Sequence, residues 1–432
     1  MALQEDQINH HNKNISKGHF SKTKGDEYGY AWLLLSRATR NVAIVFMTIA
    51  APLYLYILNI PLQIIGVTYV SIMVFGIGIS LLIGFFGDRY GYRKLLIFAE
   101  IFPVFGALLM SFNSNPEVII TAIIIGGIGG VVGLRGTFTT GLIPLIMSNY
   151  DDEKVRVRKL ATLSYVGAFT SIIGAGMVAI QPYIANFFGG LDAYRLLYLL
   201  AFAMMFVSLI SLFGVKERQR PKKTKKVMKK ESFNYLIKII ALNLINTSAL
   251  GLTLPLLSLW LSLVFKINNY EISIILAGTY LFTAIGSYYT SKIHFKDILK
   301  IAARMRLSQG ILTLIVGLIA FFISLNFMAV QFGIIIFILC YMLMFLIIGI
   351  AASPLSVVNI RGIDKEDYGT ASSFQEIAIA IGLSASGASA LLMTYSLSAP
   401  FIIAGILFLI GGILYEVLLR EHKSSAEKEI LP

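Results

Sequence analysis

Apolar stretches, most about as long as a bilayer is thick, follow one another along the chain with short polar junctions between them. They run near 38–58, 62–86, 95–112, 117–146, 161–183, 194–214, 234–264, 271–291, 305–325, 327–352, 371–394 and 399–419. A helix needs about 20 apolar residues to cross the hydrocarbon, so the pattern predicts twelve crossings. The segment 294–304 breaks the rhythm by setting Ile298, Leu299 and Ile301 beside Lys296, Lys300 and Arg304. That alternation predicts a short helix lying in the inner interface. The first 30 residues are polar with charges of both signs, which excludes a signal peptide and predicts a cytoplasmic tail.

The pattern also repeats. Pro52-Leu-Tyr-Leu answers Pro255-Leu-Leu-Ser at an offset of 203, and Ile83-Gly84 answers Ile285-Gly286 at 202. Pro144-Leu-Ile-Met-Ser-Asn149 answers Pro354-Leu-Ser-Val-Val-Asn359 at 210. Three matches in order at nearly constant spacing predict two six-helix halves. The expected organisation is a tail (1–30), an N-terminal bundle (31–215), a linker (216–232), a C-terminal bundle (233–420) and a second tail (421–432).

Composition agrees: 57% of residues are hydrophobic and 14% charged, against roughly a quarter charged in soluble domains. The formal net charge of +13 is concentrated, because nine Lys/Arg and one acid, Glu217, lie between Lys216 and Lys230. Lys and Arg at alternate junctions orient a polytopic chain. Arg89, Arg93, Lys94, Lys154, Arg156, Arg158, Lys159, Lys292, Lys296, Lys300, Arg304, Arg361 and Lys365 share the side of the basic linker, whereas the other side shows Arg195 and Lys266. Both termini are therefore expected in the cytoplasm, with the linker against anionic lipid rather than nucleic acid. Cys340 is the single cysteine, so no internal disulfide can form.

Between the second and third stretches lies Gly84-Phe-Phe-Gly-Asp88-Arg89-Tyr-Gly91-Tyr-Arg93-Lys94. Together with twelve spans in two halves and the basic linker, this motif resembles the major facilitator superfamily of secondary transporters. The resemblance implies an all-α polytopic membrane protein of two pseudo-symmetric six-helix bundles rocking about a central site. It also implies that Asp88 holds the inner gate shut by facing the start of helix 11, here Gly369-Thr370-Ala371-Ser372. Arg89, Arg93 and Lys94 are expected to pair with Asp151, Asp152, Glu153 or lipid phosphates, or to serve topology alone. The second-half copy, Gly286 to Lys292, has lost the aspartate.

Candidates for solute or ion handling are few. Arg135 follows the glycine-rich run 126–133 inside an apolar stretch, where an arginine costs about 2.5–3.5 kcal/mol. It either meets a solute or coupling group or makes a helix-packing ion pair. Arg40 in the first stretch adds positive charge nearer the inner end. Glu100 and Glu376 are intramembrane acids; proton coupling would require one of them to titrate, and otherwise each is a paired carboxylate. All five histidines fall outside the stretches. Asn243, Asn246 and Thr247 share a helix face that lines a cavity or bonds between helices. No metal-ligand cluster, phosphate loop or nucleophile–base pair can be assembled, so neither an enzyme nor a cofactor is expected. The expected function is secondary transport of a small polar or anionic organic solute by a plasma-membrane monomer, with protons as a candidate coupling ion. The rivals are an exporter of amphiphilic compounds and a receptor or lipid-handling protein of the same fold.

Overall fold

The computed structural model describes residues 28–129, 137–150, 153–218, 229–290, 297–363 and 368–419. Among these, eleven helices are long and apolar enough to cross a membrane. In chain order the crossings are span 1 (Tyr30–Ile57), span 2 (Leu62–Tyr90), span 3 (Tyr92–Phe112), span 4 (Pro116–Gly126 and Thr137–Asn149), span 5 (Glu153–Phe188) and span 6 (Gly190–Gly214). The second half holds span 7 (Lys230–Thr253 and Leu257–Phe265), span 8 (Asn269–Thr290), span 9 (Ile298–Ser324), span 10 (Val330–Ile360), span 11 (Tyr368–Leu383 and Ala385–Tyr395) and span 12 (Ala399–Leu419). The chain is thus an all-α, multi-pass membrane protein of twelve crossings. Side chains such as Val67, Phe187 and Leu339 are well exposed on its flanks, as a hydrocarbon solvent requires.

The duplicated sequence pattern becomes a duplicated packing pattern. Span 1 packs on spans 5 and 6, as span 7 packs on spans 11 and 12; span 2 meets span 4 as span 8 meets span 10; and span 3 meets span 6 as span 9 meets span 12. Small residues permit the closest of these approaches. A β-carbon at Gly286 would lie 2.2 Å from the Leu346 carbonyl oxygen, and one at Gly349 would lie 2.2 Å from that of Thr283. Between the halves the pairing is reciprocal: span 5 lies on span 8, span 2 on span 11, and span 1 on the second helix of span 7.

One expectation changes and two details are added. Within the segment 294–304, the described residues Ile298 to Arg304 are not a separate interfacial helix but form the first turns of span 9, capped by Asp297, whose carboxylate accepts from the Lys300 amide (3.2 Å). The charges there simply mark the polar end of a crossing helix. The run 117–146 is not one continuous helix. Its first half stops at Gly126 because Gly127 adopts φ +61°, and the Gly127 and Ile128 amides turn back to the carbonyls of Ile124 and Ile123, a glycine-terminated helix end. Finally, the charged motif closes into a single-residue turn. Span 2 stays helical to Tyr90 and span 3 begins at Tyr92, so Gly91 alone makes the turn, at φ +94°.

Candidate functional site

Span 1 carries Ser36, Arg37, Arg40 and Asn41 within two turns, all directed into the N-terminal bundle. Arg40 Nε donates to Glu100 Oε2 of span 3 (2.9 Å), and the Arg40 guanidinium lies 4.7 Å from the Phe138 ring centre in span 4. Glu100 Oε1 accepts from Ser208 Oγ of span 6 (2.6 Å), and the Ser208 and Ser36 hydroxyls are 2.9 Å apart. Glu100 is 1% exposed. Asn41 Nδ2 donates to the Gly167 carbonyl of span 5 (2.8 Å). The buried Arg37 lies against the same glycine, where a β-carbon would come within 3.1 Å of its Nε.

One carboxylate and two arginines thus share this interior, Arg40 paired with Glu100 and Arg37 lying against span 5. Ionisable side chains buried inside a membrane are expensive and mark functional positions. Arg37, Ser36 and Ser208 escaped the sequence reading. The three-residue spacing of Arg37 and Arg40 was the available signal for the first, and single serines in apolar helices gave none.

The C-terminal bundle carries a different charge at the matching place. Arg306 of span 9 lies 206 residues after Glu100, inside the repeat offset. Its Nη1 donates to Gln309 Oε1 (2.7 Å), and its guanidinium is 5.9 Å from the Phe408 ring of span 12. Asn243 and Asn246 are buried. Asn246 Nδ2 donates to the Leu242 carbonyl (2.7 Å), and the side chain fills the space over Gly411 of span 12. Thr247 instead faces Gly382 of span 11. The polar stripe of span 7 thus divides between two helix–helix contacts. Glu376 is half-buried in span 11, and Arg135 lies outside the described residues.

At the end where the basic junctions gather, the motif is organised by Glu217. Its carboxylate accepts from the amides of Tyr92 (2.9 Å) and Arg93 (2.8 Å), capping the start of span 3, where the helix dipole attracts negative charge. A β-carbon at Gly91 would lie 2.9 Å from Glu217 Oε2, so the turn needs glycine for space as well as for φ. The acids expected to pair with Arg93, Asp151, Asp152 and Glu153, have side chains outside the described residues. Arg93 Nη2 donates to the Phe213 carbonyl (2.7 Å), placing a cation on the carbonyl end of span 6. Lys94 is exposed. Gly84, Asp88 and Arg89 belong to the last turns of span 2, and their side chains, like the docking of Asp88 on span 11, lie outside what is described. In the sequence, Glu217 stands out only as the lone acid of a basic stretch.

The opposite end is where the halves join. Ser258 Oγ donates to the Ile49 carbonyl (2.7 Å), Asn269 Nδ2 donates to Gln181 Oε1 (2.8 Å) and Tyr194 Oη (2.6 Å), and Ser273 Oγ donates to the Ala175 carbonyl. The rings of Tyr183 and Tyr270 meet edge to face, centres 6.2 Å apart. A β-carbon at Gly66 would lie 2.9 Å from the Gly387 carbonyl oxygen. Deeper, Met73 packs with Ile379 and Leu383. Among the described residues, these contacts between halves gather at the end away from the basic linker.

The family profile described as Major Facilitator Superfamily matches residues 33–387. No curated protein matches the chain. Among solved structures, the chain is similar to the POT family transporter PepTSo, with TM-score 0.70 and 12% identity over 92% of this chain and 98% of that one. It is also similar to a bacterial homologue of the iron transporter ferroportin in its inward-facing state, with TM-score 0.63 and 15% identity over 90% and 97%. A third likeness is to the human organic anion transporter MFSD10 (TETRAN), with TM-score 0.60 and 12% identity over 89% and 98%. At these identities the likeness is one of fold.

Proposed function

Because the chain belongs to the Major Facilitator Superfamily, we propose that it carries a small polar or anionic organic solute across the plasma membrane by alternating access, as a monomer. The observation that carries this reading is the one-sided seam between the halves, held by Ser258, Asn269 and Ser273. Among the described residues the contacts between the bundles gather at one end, which leaves them able to rock. The excess of Lys and Arg at the other end supports a cytoplasmic side there, with both termini on it, and hence an inward-facing conformation. The basic linker 216–232 spans the two bundles, 31–215 and 233–420, against anionic lipid.

Transport in this reading breaks the outer seam and closes the inner end. Asp88 then docks on the first turn of span 11, whose positive helix end attracts a carboxylate. Arg37 and Arg40 supply the positive potential that favours an anionic solute. Glu100, paired with Arg40, and Glu376 are the acids we assign as candidates for ion coupling, Glu100 being the one held against span 1.

Uptake into proteoliposomes, with and without an imposed pH gradient, over a panel of organic anions, sugars and dyes tests the proposal. Anion uptake that falls in Arg37→Gln while uptake of a neutral solute holds is the expected result. Equal losses for charged and neutral solutes would remove the charge argument, and dye export would replace the function with that of an amphiphile exporter.

A further inference from the structure

The inner end of the N-terminal bundle is closed by a strap. Just past span 6, the Lys216 amide donates to the Tyr28 carbonyl (2.9 Å) ahead of span 1. Asn149, the last residue of span 4, clasps the backbone on both sides of Glu217. Its Nδ2 donates to the Lys216 carbonyl (2.8 Å), and its Oδ1 accepts from the Arg218 amide (2.9 Å). With Glu217 on the first amides of span 3, three residues of linker tie the inner ends of spans 1, 3, 4 and 6 together.

The C-terminal bundle repeats the parts. Asn359 answers Asn149 at an offset of 210, and Tyr235 answers Tyr30 at 205. Lys216-Glu217-Arg218 is answered at 204 by Arg420-Glu421-His422, again an acid between two basic residues. The apolar packing is repeated as well. Ile146, three residues before Asn149, shares a buried cluster with Leu33, Leu96 and Leu212 of spans 1, 3 and 6. Val358, beside Asn359, shares another with Leu236, Leu299 and Leu419 of spans 7, 9 and 12. The chain therefore leaves span 12 from the same cluster that holds the end of span 10.

One atom lacks its counterpart. The Val358 carbonyl accepts from the Tyr235 hydroxyl, and the Asn359 carbonyl accepts from Gln375 Nε2 (3.0 Å). Asn359 Oδ1, by contrast, is shut off from solvent and accepts no hydrogen bond. Buried acceptors are nearly always paired, and the equivalent oxygen of Asn149 takes a backbone amide.

We propose that Arg420-Glu421-His422, which follows span 12 directly and lies outside the described residues, docks on Asn359 as the linker docks on Asn149. The His422 amide donates to Asn359 Oδ1, and Asn359 Nδ2 donates to the Arg420 carbonyl. Asp297 stands where the first bundle has Gly91, at an offset of 206, and its own carboxylate caps span 9. Glu421 is not needed there, so the clasp is made through the backbone. Each bundle then has its inner rim closed by the strand leaving its sixth span, and moves as one body. The docking is independent of the solute, and neither it nor the transport reading falls with the other.

The experiment places one nitroxide on His422→Cys, Lys428→Cys or Lys365→Cys of the full-length Cys340→Ser protein in lipid nanodiscs. Continuous-wave electron paramagnetic resonance reads the mobility of each label. The clasp uses backbone atoms, so a label at His422 leaves it intact. A broadened spectrum is expected at His422 and a sharp one at Lys428. Asn359→Ala should abolish the broadening at His422, as Asn149→Ala should at Arg218→Cys, where the contact is seen. Equally sharp spectra at His422 and Lys428 would overturn the proposal on a chain whose Asn359 is untouched. So would broadening at His422 that survives Asn359→Ala. Loss of broadening at Lys365 alone would give the oxygen to the junction between spans 10 and 11, and would overturn it too.

Discussion

Replacing Glu100 with Gln preserves shape and removes one charge. The Gln carbonyl can still accept from Ser208, but its amide then points N–H groups at Arg40, whose Nε sits 2.9 Å from the carboxylate today. Arg40 is 11% exposed and Glu100 1%, so water cannot replace the lost partner. Removing one member of a buried pair costs about 3–5 kcal/mol, and Arg40→Gln should cost a similar amount. The double variant restores neutrality and lets two amides bond to each other. If the residues acted independently it would lose about 6–10 kcal/mol. We expect it instead to be more stable than either single variant, a coupling at or above the usual upper range of about 3 kcal/mol for contacting residues. Denaturant unfolding of the purified protein in mixed micelles, followed by tryptophan fluorescence, supplies the four stabilities of the cycle. Additive losses would refute the pairing and the coupling role built on it.

Other variants probe the remaining parts. Gly91→Ala places a β-carbon at φ +94° against Glu217; we expect a loss of about 1–3 kcal/mol, seen as a lower melting temperature. Glu217→Gln keeps one acceptor but discards the charge at the start of span 3, and should cost about 0.5–1 kcal/mol in the same assay. Gly286→Val drives a side chain into the Leu346 carbonyl, 2.2 Å from the first added atom. Overpacking of this kind costs about 1–3 kcal/mol or more, so the yield of monodisperse protein should fall in size-exclusion chromatography.

The twelve crossings and the duplication were legible because hydrophobic length and repeat spacing are local properties. The interior of the site was less so. Arg40 and Glu100 are 60 residues apart, and only helix packing shows that one arginine meets the acid while Arg37 turns toward span 5. Glu217 reaches back 125 residues to the Tyr92 amide, a long-range contact that periodicity cannot register. The glycine run after residue 126 was visible, but glycine signals both close packing and helix ends; the φ of Gly127 settles on the second. The stretch 294–304 misled for the opposite reason. Mixed apolar and basic residues describe an interfacial helix and the emerging end of a crossing helix equally well. Matching Pro52 with Pro255 exposed the symmetry.

The central claim is that two bundles rock about a seam, so a wedge at one end must close the other. Gly66→Trp inserts a large ring where a single β-carbon already lies 2.9 Å from the Gly387 carbonyl. Spin labels at Tyr165 of span 5 and Tyr289 of span 8, both well exposed toward the opposite end, report the inner separation once Cys340 is replaced by Ser. Double electron–electron resonance in nanodiscs should show that distance shorten in the wedged protein while labels at Tyr183 and Tyr270 move apart. An inner distance that stays fixed while the outer one lengthens would contradict the account.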